Sequence, residues 1–187
     1  MHKMERLEND IWIRFVHQRS YILEKTTGPD RLRVGIPAQS DEPVRLLLAM
    51  MPEPFVLVYV LHTPRGAERG RYESPGLNRA QVEAFLHEFH AYLTEDARHD
   101  LWILSPAAHI TLVWDRHDIL FAYGPLTSFI SSLEDAGYLP DAPSIPIPHA
   151  HLYHAEFDRQ QYALLETFDW YRTALRPSDR QLQDTTP

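Results

Sequence analysis

Between Asp100 and Tyr123 the chain alternates β-forming runs with short turn sequences, and no other segment restricts its folding as strongly. Leu101–Leu104, Ile110–Trp114 and Ile119–Tyr123 are rich in branched and aromatic residues. Ser105-Pro106-Ala107-Ala108 and Asp115-Arg116-His117-Asp118 separate them with turn-forming chemistry. Runs of this kind joined by such short links predict an antiparallel meander of two consecutive hairpins.

The rest of the chain fits around that unit. Phe55–Leu61 is apolar without alternation, which predicts a strand covered on both faces. Residues 11–17 predict a first strand, and residues 21–36 one or two more about the Thr27-Gly28-Pro29-Asp30 turn. Leu and Ala content favours a helix over Val44–Met51, and a polar loop runs from His62 to Gly76. Asn78 and Gln81 form a capping box for a helix to about Thr94. A short helix built on Leu126, Phe129, Ile130 and Leu133 is closed by Gly137, and four prolines make residues 138–148 irregular. Leu164, Phe168, Tyr171 and Leu175 predict a final amphipathic helix over roughly residues 158–175. The expected fold is α+β: a mostly antiparallel sheet of about five or six strands with two or three helices packed on it. Residues 1–177 form a single domain in this reading, and 178–187 a flexible tail.

Composition narrows the chemistry. The 187 residues include no cysteine, which removes disulfides, thiolate metal ligands and cysteine nucleophiles. A net charge of −8 argues against nucleic-acid and anionic-membrane partners, which need clustered positive charge. The charged N-terminus and the brevity of the longest apolar run point to a cytoplasmic protein. Arginine outnumbers lysine, which is confined to Lys3 and Lys25, a skew that suggests a bacterial source.

Histidines supply the sharpest functional signal. His149, His151 and His154 crowd into six residues beside Glu156. In an extended segment His149 and His151 share one face, and neutral imidazole is the commonest ligand for a divalent metal. The candidate ligands are His149, His151, His154 and Glu156, with a further ligand available from a spatially adjacent residue such as His117 or His109. Each ligating ring is expected to donate its other N–H to a carboxylate or backbone carbonyl. The His149-x-His151-x4-Glu156 spacing resembles the first metal motif of the cupin barrels over about eight residues. The likeness stops there, because Pro143 and Ala163 stand where that family has glycines.

A second candidate is the loop with Arg65, Arg69 and Arg71, whose guanidinium groups suit phosphate or carboxylate capture. His87-Glu88-Phe89-His90 has a three-residue step where the zincin motif needs four. No catalytic residue is assigned. The leading expectation is a small binding or accessory protein that engages a protein partner without catalysis, using exposed aromatics and acidic surface. The alternative is a metal-dependent hydrolase or oxygenase using the His149/His151 segment, with a divalent metal as cofactor. The third is an anion- or nucleotide-binding protein using the Arg65–Arg71 loop.

Overall fold

The computed structural model describes residues 1–63 and 65–179. In chain order these form β1 (Met4–Glu8), β2 (Ile11–Arg14), β3 (Ser20–Glu24), β4 (Arg31–Gly35), α1 (Glu42–Leu48), β5 (Val56–Leu61) and β6 (Gly70–Glu73). There follow α2 (Arg79–Glu88), α3 (His90–Glu95), β7 (His99–Ser105), β8 (Ile110–Trp114), β9 (Ile119–Tyr123) and α4 (Leu126–Asp135). The last elements are β10 (Leu139–Pro140), β11 (His149–His151), α5 (Asp158–Glu166) and β12 (Tyr171–Thr173).

A nine-stranded sheet with the order β10-β3-β4-β9-β8-β7-β5-β6-β12 forms the centre. Every pairing in it is antiparallel except the short β10–β3 contact. The register explains its two faces, because directly opposed residues share a side. Leu32, Ala122, Leu112, Ile103 and Leu57 form one cross-strand row and belong to the buried core. Val44, Leu47, Val82, Phe85, Phe129 and Leu133 of the helices complete that core. Arg33, Phe121, Val113, Trp102 and Val58 form the matching row on the other face. A cavity of about 1080 Å³ lies there, lined by Arg31, Trp102, Val113, Phe121 and Tyr123 among others.

A second sheet of three strands, β11-β1-β2, stands at the β8–β9 turn. Asn9 and Asp10 join β1 to β2 with φ of 50° and 62°. Two positive φ values in a two-residue link belong to the type I′ turn, whose twist suits a hairpin. No helix among the described residues is long and apolar enough to cross a membrane.

The α+β class and the meander agree with the sequence reading, but the element counts are higher than expected. The described residues contain nine strands in one sheet, three in another and five α-helices. β6 lies wholly within the His62–Gly76 stretch that reads as loop, and it pairs with both β5 and β12. The expected single helix over 78–94 divides at Phe89. The expected helix over 158–175 stops at Glu166: Trp170 Nε1 donates to the Leu164 carbonyl, and Tyr171–Thr173 pair instead with Glu73–Arg71. Of the expected tail, 180–187 lies outside the described residues, whereas Asp179 is buried on Arg71.

Candidate metal centre

The β8–β9 turn fixes the first histidine. Asp115 Oδ1 accepts the amides of His117 and Ile119, both at 2.9 Å, which pins the turn around its own side chain. Asp118 closes the turn in the left-handed region with φ 56°. Its Oδ1 accepts from Trp114 Nε1 at 3.1 Å and lies 2.7 Å from the buried Lys3 ammonium. Burial raises the Asp118 pKa, a shift that Lys3 opposes. His17 adds a further tie, its Nε2 donating to the His117 carbonyl at 2.9 Å. The result is an immobilised, fully buried His117 ring.

The other two histidines arrive on β11. Antiparallel pairing sets Met4 opposite His151 and Arg6 opposite His149, so both imidazoles leave the same side of the strand. That strand is clamped from beyond. Ala97 N donates to the Leu152 carbonyl at 3.1 Å, and Leu152 N to the Lys3 carbonyl at 2.8 Å. His154 N donates to Asp96 Oδ2, and its carbonyl accepts from Arg98 Nη2, both at 2.8 Å. Arg98 is fully buried; it also donates to both Asp96 oxygens, to Asp158 and to Gln161.

These elements bring His117, His149 and His151 together, with one donor nitrogen from each lying within 4.8 Å of the others. Ring centroids are separated by 4.7 to 5.2 Å, and no pair is stacked. His117 Nδ1 lies 3.1 Å from Asp115 Oδ2, and His149 Nδ1 donates to the Pro146 carbonyl at 2.9 Å. Both contacts place the ring proton on Nδ1 and the lone pair on Nε2. Nε2 of His117 and Nε2 of His151 are buried with no hydrogen-bond partner among the described residues. Orphaned buried ring nitrogens of this kind are costly and uncommon. Burial, then the neighbouring His117 and Arg116 side chains, push the His151 pKa down to about 2, so its ring is neutral at ordinary pH.

The donor set fits a divalent ion. Three neutral imidazoles at about 2.0–2.1 Å from tetrahedral zinc stand roughly 3.3 Å apart, a modest contraction from the separation here. Asp115 behind His117 and a carbonyl behind His149 match the outer shell that such ligands use.

Of the residues anticipated from sequence, His149 and His151 converge and His154 does not: its Nε2 meets the His2 carbonyl at 2.9 Å. Glu156 is exposed in a short 3₁₀ turn, and His109 lines the large cavity instead. His117, named only as a neighbour that folding had to supply, is the third member. The arginines do not form one cradle. Arg65 is bound to Asp158 at 2.9 Å, Arg69 is exposed, and Arg71 is buried in β6 against Asp179 and the Trp102 ring. His87 and His90 fall on different helices, with His90 3.4 Å from Asp41. A separate His62–Asp100 pair at 2.7 Å borders the cavity through Asp100. No protein-family model, curated protein or solved structure matches this chain.

Proposed function

We propose that this protein is a three-histidine metalloprotein of the hydrolytic type, holding one zinc-class divalent ion on His117, His149 and His151. The observation that carries the reading is the pair of buried, partnerless Nε2 atoms on His117 and His151, in one cluster with His149. A ligand ion would satisfy both nitrogens at once. Three protein ligands leave a tetrahedral ion one further position, as in catalytic zinc sites. Bound there, such an ion would lower the pKa of a coordinated water to about 7. A set of three imidazoles without a carboxylate suits zinc better than iron oxygenases' triad of two histidines and one carboxylate. Asp115 is a positioning residue, which fixes the His117 tautomer and turns Nε2 toward the cluster. His149 and His151 are only half-buried, which supports access from solvent on their side.

The test is metal uptake by the purified chain, measured by isothermal titration with zinc and by the visible spectrum of the cobalt-loaded protein. One ion per chain with a tetrahedral cobalt spectrum is expected. His117→Ala and His151→Ala should abolish uptake, while His154→Ala should leave it intact. Wild-type protein that takes up no ion, or equal loss in all three variants, refutes the assignment. The hydrolytic part is checked on activated ester and phosphoester substrates: turnover that is independent of zinc and unchanged in His151→Ala overturns it.

A further inference from the structure

β2 presents an unusual edge. Its sequence, with the preceding turn residue, is Asp10-Ile11-Trp12-Ile13-Arg14, apolar in the middle and oppositely charged at the two ends. Trp12 is 44% exposed and Ile11 63%, although the segment is a regular strand. The pairing with β1 determines which backbone groups face outward. A two-residue link makes Glu8 and Ile11 a hydrogen-bonded pair, and Phe15 N donates to the Met4 carbonyl at 3.0 Å. Odd-numbered residues of β2 are thus bonded to β1. The N–H and C=O of Trp12 and Arg14 point to the other side, where no strand pairs among the described residues.

From this edge we infer that the protein self-associates, β2 pairing antiparallel with β2 of a second copy about a two-fold axis at Trp12. Edge strands are templates for such pairing unless they are blunted, and this one carries no proline, no bulge and no lysine. A register centred on Trp12 pairs Trp12 with Trp12 of the second copy by two backbone hydrogen bonds, since both groups face outward. It sets Ile11 against Ile13, and Asp10 at one end against Arg14 at the other, twice by symmetry. Shifting by one pair in either direction puts a charged residue opposite the indole and loses both ion pairs. Charge matching thus selects one register, and an isologous interface requires such self-complementarity. Leu7, directly opposite Trp12 within the hairpin, extends the apolar row, so Leu7 and Trp12 of each copy lie side by side across a continuous six-stranded sheet. The inference is independent of metal binding.

Sedimentation equilibrium of the full chain tests it. A reversible dimer is expected within the range up to about 200 µM. Trp12→Lys should weaken it about 30-fold or more, the loss typical of a central aromatic hot spot. Arg14→Glu, which faces Asp10 of the second copy, should also weaken it. Arg14→Pro should block the edge while sparing the hairpin, because the Arg14 amide makes no bond to β1. Far-UV circular dichroism confirms that each variant folds. A wild-type chain that stays monomeric over the whole range overturns the inference. A dimer that survives Trp12→Lys and Arg14→Pro unchanged in folded protein overturns it equally, because the contact then lies elsewhere.

Discussion

Asp115 Oδ2 lies 3.1 Å from His117 Nδ1, on the side of the ring away from Nε2, while Asp115 Oδ1 holds the amides of the same turn. One carboxylate thus shapes the loop and selects the tautomer. Asp115→Asn separates the two roles. The amide oxygen still serves the turn, but an NH₂ group facing Nδ1 favours the tautomer with its proton on Nε2. Zinc affinity should fall about 10- to 100-fold, the usual cost of losing an outer-shell carboxylate. Isothermal titration at pH 7 reads the change. An affinity within twofold of wild type contradicts the positioning role.

Metal should stabilise the fold without being required for it. The core of α1, α2 and α4 on the central sheet includes none of the three candidate ligands. Zinc at one hundred times its dissociation constant should add about 2.7 kcal/mol to unfolding. Chelated protein should keep its far-UV spectrum and a cooperative melt. Loss of secondary structure on chelation would show that the ion is structural, as in small zinc modules.

Arg98 is the buried hub behind β11, and its removal leaves the Asp96 carboxylate without charge compensation. Arg98→Met should destabilise the protein by about 3–5 kcal/mol, the range for breaking one side of a buried ion pair. Urea denaturation checks the value. The same variant releases the His154 carbonyl, so zinc affinity should fall with it even though Arg98 touches no ligand nitrogen.

Acid should destabilise the fold below pH 6.5. His99 is fully buried between Tyr59 and Tyr92, and burial first, then Lys3 and Arg98, holds its pKa well below 6.5. His17 is also lowered, through burial, and His151 falls to about 2. The folded state keeps these rings neutral while the unfolded chain protonates them, so stability is complete above pH 6.5 and declines as pH falls. Each ring contributes up to about 1.4 kcal/mol per pH unit in that window. His99→Phe should reduce the slope of stability against pH between 6 and 5 by one proton's worth. An unchanged slope would place the titration elsewhere.

The legible parts of this fold are those whose contacts are local. The meander reads from sequence because each strand pairs with the next across a short turn, and the Asn78–Gln81 box reads because its partners are three residues apart. β1 does not read, since Met-Glu-Arg-Leu-Glu is largely charged and owes its strand pairing to β2 and β11. α5 is overextended for a similar reason: the helical spacing of Phe168 and Tyr171 gives way to β6, which lies far away in sequence. At the candidate site the spacing of His149 and His151 announces a pair. His117 reads as an ordinary turn histidine, and only the tertiary fold brings its ring to that pair.

The small sheet joins residues 4–6 to residues 149–151, and thereby ties the first strand to the second last among the described residues. During synthesis β1 must wait for nearly the whole domain to emerge before its partner exists. Closing a loop of that length is entropically costly, and contacts of such long separation form late. His149 and His151 meet His117 only after this step, so uptake of the proposed ion should report completed folding. In stopped-flow refolding, a cobalt absorption signal should trail the burial of the central-sheet tryptophans, marking the moment at which the two distant stretches of chain engage.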